Sequence, residues 1–341
     1  MAPNIQKTSP EIVSNNVNPN PKQKTVVSRD YLRDRTKYDQ WSSLDHIIWP
    51  NVGWFALLHV ATVYGIYLAL YEAKWLTILF AVVTYNISLF GITAGVHRLW
   101  SHRAYKASFI FRVILAFCNS MAYQNSIYTW GRDHRVHHKY SETDADPVNI
   151  ERGFFFAHCG WLMCKKHPDV AEFGLRVDCS DMMADPVVYY QHKYYFPSVL
   201  LICVAMPLVV PWYFWGETLW TSFFVVVIAR YTLSLNATWF VNSAAHMYGN
   251  RPYDAQIAPA ENTPIAFFSL GEGFHNYHHT FPWDYSTSEW GWNINPTTFI
   301  LDTLSKFGLV YDRRFASKDM IKQRKMRTGN AETYQQVELE Y

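Results

Sequence analysis

The chain has little sulfur and little charge. Five cysteines in 341 residues (Cys118, Cys159, Cys164, Cys179 and Cys203), with no C-x-x-C pair, argue against a disulfide framework and a thiolate zinc site, and fit a reducing compartment. Charged residues are 17% of the total, the net charge is +2, and no basic block runs through the folded part. A nucleic-acid partner therefore lacks its electrostatic footprint. Residues 1–40 are polar and contain no apolar h-region, so no signal peptide is expected, and residues 1–28 are expected to be disordered. The Glu-x-x-His pairs of soluble carboxylate di-iron bundles are missing from the apolar stretches.

Half of the residues are apolar or aromatic, with 14 Trp and 23 Tyr, a composition suited to two membrane interfaces as well as a core. Four stretches, 47–71, 75–96, 195–215 and 219–239, are long and apolar enough to cross a bilayer. The first two are joined by a short loop holding Glu72 and Lys74, the last two by Gly216 and Glu217. Basic residues concentrate outside those loops, which places both termini and the middle section in the cytosol. Arg230, inside the fourth stretch, must face protein or snorkel. The run 107–123 contains Arg112 and reads as an interfacial or buried helix, since a fifth span would put later motifs on opposite sides.

Three tight histidine groups follow: His97 with His102, then His134, His137 and His138, then His275, His278 and His279. Spacings of three and four residues put the second and third groups each on one helix face. The five-residue spacing of the first fits one face only where the helix ends or distorts. Asn242 and His246, just past the fourth stretch, again share a face. Four spans bring all these elements out on one side. Nitrogen donors suit iron, zinc, copper or nickel rather than magnesium or calcium, and nine histidines point to two ions with four or five nitrogens each. The remaining histidines, His46, His59, His158, His167 and His192, read as ordinary surface or core residues.

HRLWSH (97–102), HRVHHKYSETDADP (134–147), NSAAHMYGNRPYD (242–254) and GEGFHNYHHTFPWDY (271–285) resemble the histidine boxes of the membrane fatty acyl-CoA desaturase family, in its insect, moth-type branch. The resemblance runs over 49–329. It implies an all-α integral membrane fold, four transmembrane helices under a cytosolic helical cap, with a desaturase domain over 29–329 and a mobile tail at 330–341. It implies two iron ions and no haem, held by His97, His102, His134, His137, His138, His246, His275, His278 and His279, with Asn242 acting through water. Electrons would come from NADH through cytochrome b5 and its reductase, at the endoplasmic reticulum membrane.

By the same resemblance, Gln124, Trp130 and Thr238 stand at a bend in the acyl tunnel, and Tyr85 near its end limits chain length. Asn51, Arg132, Asp133, Lys165 and Lys166 meet the CoA end. Lys165 stands where relatives often have Arg, and Gly131 where they often have Ala. The segment 258–261, Ala-Pro-Ala-Glu, is closer to the pheromone-type Δ11 group than to the Δ9 groups. The expected activity is insertion of a double bond, Δ11 or Δ9, into a saturated or mono-unsaturated acyl-CoA. Rival outcomes are acyl hydroxylation or conjugated-diene formation on the same scaffold, a catalytically silent member, and a histidine-rich metal transporter.

Overall fold

The computed structural model describes residues 46–330; the expectations for 1–28 and for the tail beyond Asn330 lie outside the described residues. Four helices are long and apolar enough to cross a membrane: α1 (Trp49–Tyr71), α2 (Trp75–Ser101), α5 (Tyr195–Trp215) and α6 (Leu219–Met247). Between them lie α3 (Phe109–Ala122) and α4 (Ile127–Tyr140).

Two spans are longer than their hydropathy suggests. α2 continues to Ser101 rather than stopping at 96, and α6 to Met247 rather than 239. Hydropathy falls where His97, Arg98, Asn242 and His246 begin, but the helices persist because His97, Arg98 and His246 are buried among partners. His97, Asn242 and His246 therefore sit within the helices, not beyond them.

The exposed face of α1 carries Leu57, Val60, Val63 and Leu70, and its inner face Leu58, Thr62, Gly65 and Leu68. Gly65 is required by contact: a Cβ there would lie 2.3 Å from the Phe224 carbonyl of α6, the small-residue approach typical of packed spans. At the far end the two hairpin loops are stapled together. The Lys74 amide and the Thr77 hydroxyl donate to Glu217 Oε2 at 2.9 and 2.7 Å, and Lys74 Nζ donates to the Trp215 and Gly216 carbonyls.

Arg230 faces protein. It is 2% exposed and donates to the carbonyls of Val226, Met121 and Cys203 and to the Ser88 hydroxyl. α3 is too short to be a further span; Phe109, Ile110, Val113, Ile114 and Phe117 are exposed on it, and Arg112 pairs with Asp185 at 2.6 Å. The remaining helices and loops form a cap over one end of the four spans. A two-stranded antiparallel sheet, β1 (Lys106–Ala107) on β2 (Val310–Tyr311), ties its early and late segments together.

Candidate metal centre

The five-residue spacing of His97 and His102 is resolved by the backbone. Residues Gly91–Ser101 of α2 form a π-helix, and the His102 amide donates to the His97 carbonyl at 3.1 Å. A ladder of i→i+5 bonds puts residues five apart on one face. α3 packs tightly here, since a Cβ on Gly91 would meet Cys118 and Asn119 backbone at 2.3 Å. α4 supplies His134, His137 and His138, and the last turn of α6 supplies His246. A short helix α7 (His275–Thr280) supplies His275, His278 and His279.

The nine rings converge into two groups, one of His97, His102, His134, His138 and His278, the other of His137, His246, His275 and His279. Within each, the candidate ligand atoms lie within 4.8 Å of one another. The His278 Nε2 is 2.9 Å from that of His97 and 3.0 Å from that of His138, and His102 and His134 face each other at 2.8 Å. In the second group His275 Nε2 lies 3.0 Å from His246 and 3.1 Å from His279, while His137 Nε2 is buried with no hydrogen-bond partner among the described residues.

Neutral imidazoles cannot satisfy such sets, because each Nε2 carries either one proton or one lone pair. A cation at the focus of each group would satisfy them together, so the donors fit two transition-metal ions. Burial first, then neighbouring histidines, holds His102, His134, His138, His278 and His279 well below the usual imidazole range and His275 down to about 3. The lone pairs are thus free at neutral pH.

Carboxylates orient one ring in each group. His97 Nδ1 is 2.8 Å from Glu272 Oε2, and Arg98 donates to Glu272 Oε1 through Nε and Nη2. Burial raises the Glu272 carboxyl, but Arg98 and His97 outweigh it and hold it at about 2. His137 Nδ1 is 2.9 Å from Asp146 Oδ1, and Asp146 accepts from the Glu142 and Val148 amides.

A cavity of about 460 Å³ leads to the histidines, and Asn51, Gln124, Trp130, Asp133 and Thr238 line it with His134 and His137. Trp130, Thr238 and Asn242 also line a smaller cavity bordered by His97, His134, His137 and His275. Arg132 pairs with Asp133 at 2.8 Å, and Lys166 pairs with the same carboxylate. Lys165 is exposed, and its amide donates to the His46 carbonyl. Tyr85 lines neither cavity; its hydroxyl donates to the Phe268 carbonyl at 2.9 Å. Gly131 has Met182 against it, where a Cβ would lie 2.8 Å from the sulfur. The segment 258–261 lines neither cavity and instead packs on ligand-bearing segments: the Ala260 amide donates to the Ala245 carbonyl and Asn276 to that of Pro259.

Sequence reasoning missed Asn125, Trp161, Tyr195, Tyr231, Leu235 and Trp239, all on the larger cavity. A signal existed on α6. Tyr231, Leu235, Thr238, Asn242 and His246 recur every three or four residues, and so form one stripe running down the cavity wall to the metal site.

Comparison with known proteins agrees with this architecture. Residues 73–312 match the family model described as fatty acid desaturase. The chain is 57% identical to stearoyl-CoA desaturase 5 of Bos taurus over 83% of its length and 84% of the relative's. It is 54% identical to the acyl-CoA Delta12-desaturase of the insect Acheta domesticus over 83% and 80%. To the stearoyl-CoA desaturase of Sus scrofa it is 49% identical over 96% and 89%. A multi-pass membrane protein with a histidine-rich centre for two metals is what fold and site define. The chain belongs to the fatty acid desaturase family, and within it the chain is an enzyme of the acyl-CoA desaturase class.

Proposed function

We propose that this enzyme inserts a Δ11 or Δ9 double bond into a saturated or mono-unsaturated acyl-CoA at the endoplasmic reticulum membrane, with termini and centre cytosolic. Two iron ions occupy the histidine groups, and pheromone precursors are among the products. The carrying observation is the junction at Trp130 and Thr238, where the larger cavity meets the smaller one bordered by four of the nine clustered histidines. An unactivated methylene offers no acid, nucleophile or leaving group, so side-chain acid–base chemistry cannot act on it. Iron with dioxygen supplies the oxidising power needed to remove its hydrogens.

This chain's residues do the positioning. Asn51 and Asp133 line the cavity and Arg132 and Lys166 pair with Asp133 beside it; the four suit the polar CoA head, with Lys166 acting on phosphate as a point charge. Gln124, Trp130 and Thr238 fix the chain where no polar handle exists, and Tyr85 stands toward its far end. Asn242 reaches a metal through water. The apolar wall keeps bulk water from the reacting carbons.

Electron balance calls for a partner. Reducing dioxygen to two waters takes four electrons, and forming one alkene releases two, so two more arrive from outside. Cytochrome b5, reduced by NADH through its reductase, is the proposed donor. A surface cleft of about 420 Å³ lined by Arg103, Arg135, Arg314, Asp178 and His102 supports that reading, because it brings basic side chains to one of the nine histidines and shares no lining residue with the acyl cavity.

Expression in desaturase-deficient yeast, with double bonds located by mass spectrometry, tests the proposal. Alkenes at Δ11 or Δ9 are expected; hydroxylated chains without an alkene, or a conjugated diene, would replace it with the corresponding rival. Vesicles holding the protein should show no metal flux.

A further inference from the structure

The small cavity beside the histidines is separated by a wall of neighbouring residues from a second, apolar space. Leu89, Thr238 and Ser269 line the cavity, while Tyr85, Ala237 and Leu270 line a separate apolar groove of about 1200 Å³ on the other side. Tyr85 is one helical turn from Leu89, and Ala237 and Leu270 are chain neighbours of Thr238 and Ser269. Leu89, Ala237 and Leu270 pack together as a buried cluster, with Tyr85 against it.

The groove runs along α1, α2 and α6 and under part of the cap. Leu70, Val82, Leu233 and Phe267 line it and are exposed, and exposed apolar side chains on membrane-crossing helices face hydrocarbon. Only the wall divides this lipid-facing space from the inner cavity. Two features suit it to opening. The Tyr85 hydroxyl ties α2 to the cap by a single bond to the Phe268 carbonyl, 2.9 Å long. Leu270 stands at φ +58 and Gly271 at φ +111, a left-handed turn that a leucine holds only under constraint.

We propose that this wall is a gate and that the groove beyond it receives the terminal methylenes of acyl chains too long for the closed cavity. The occupant is the far end of the substrate's own chain, so the inference rests on the acyl-CoA reading above. A longer chain displaces Leu270, the Tyr85 hydroxyl leaves the Phe268 carbonyl, and the chain end lies among side chains that face the bilayer. A fixed floor would make the length limit depend on the bulk of the Tyr85 ring alone. A gate makes it depend on the hydroxyl as well.

The test uses iron-loaded enzyme in nanodiscs, the longest acyl-CoA it turns over, and an acyl-CoA two methylenes longer carrying a terminal diazirine. Tyr85→Phe keeps the ring and removes the latch; Leu270→Ala opens the wall by size. Both variants should raise the relative kcat/KM of the longer chain on the order of tenfold, the weight of two newly accommodated methylenes. Photoadducts should move from Leu89 and Leu270 to Val82, Leu233 and Phe267. If Tyr85→Phe leaves both the length limit and the adduct positions unchanged, the wall is a floor and the gate is wrong. If the unmodified enzyme turns over no acyl-CoA at all, the underlying functional reading fails instead.

Discussion

The two histidine groups share α4 and α7 yet are supported differently. The group of five is oriented by Glu272, itself engaged by Arg98, which is fully buried. The group of four is oriented by Asp146, which is held by two backbone amides and, among the described residues, by no cation other than its histidine partner. Five donors would nearly fill a first-row metal's coordination, whereas four would leave room for a further donor, and both groups border the cavity system. The difference assigns two kinds of site rather than one symmetrical pair.

Ligand removal gives the largest expected effect. His278→Ala should empty the group of five and His137→Ala the group of four, each lowering iron from about two ions per chain toward one while membrane insertion is unchanged. Product should fall below detection in both. Metal analysis checks the division: loss of both ions from either variant would mean the groups act as a single cluster.

The orienting carboxylates come next. Glu272→Gln and Asp146→Asn should each weaken iron binding by about 10–100-fold in a chelator competition. Their stabilities should part, however. Glu272→Gln strands the Arg98 charge, which costs on the order of 3 kcal/mol or more, while Asp146→Asn strands no arginine. Equal melting temperatures for the two variants would contradict this account of Arg98.

Acid should expose the same machinery in metal-free protein. Folded imidazoles held below their unfolded value near 6.5 contribute stability that is full above that pH and is lost as pH falls toward about 3, the His275 value. Each such histidine steepens the loss by about 1.4 kcal/mol per pH unit. Glu272, depressed to about 2, adds a further loss only below about pH 4. Chemical denaturation across this range measures the slope, and a flat profile between pH 6.5 and 4 would show the rings to be solvated.

The spans, the tight hairpins and the nine histidines were legible because they depend on local signals: apolar length, loop composition and helical spacing. The π-segment was legible only as a misfit, the five-residue gap from His97 to His102, since nothing local says which way a helix distorts. The carboxylates were not legible. Glu272 is 175 residues from His97 in sequence and reaches it only once α2 and the cap have packed. Asp146 is nearer His137, but the turn that aims it is fixed by its own amide bonds. Tyr85, Leu270 and Ala237 share a wall for the same long-range reason.

Asn242 carries the smallest predicted effect and the sharpest reading of the two groups. It borders the small cavity with His97, His134, His137 and His275, but on the α6 stripe it stands one turn before His246 of the group of four, the group that a water held by its amide would then complete. Losing a hydrogen bond to such a water costs about 0.5–1.5 kcal/mol, which sets the expected fall in kcat for Asn242→Ala at roughly tenfold or less. Both ions should stay bound. Mössbauer spectra of the iron-loaded protein should then change for one ion and not the other if that water completes the group of four alone. Two altered signals would place Asn242 between the ions, and the contrast between a five-donor site and an open four-donor site would have to be abandoned.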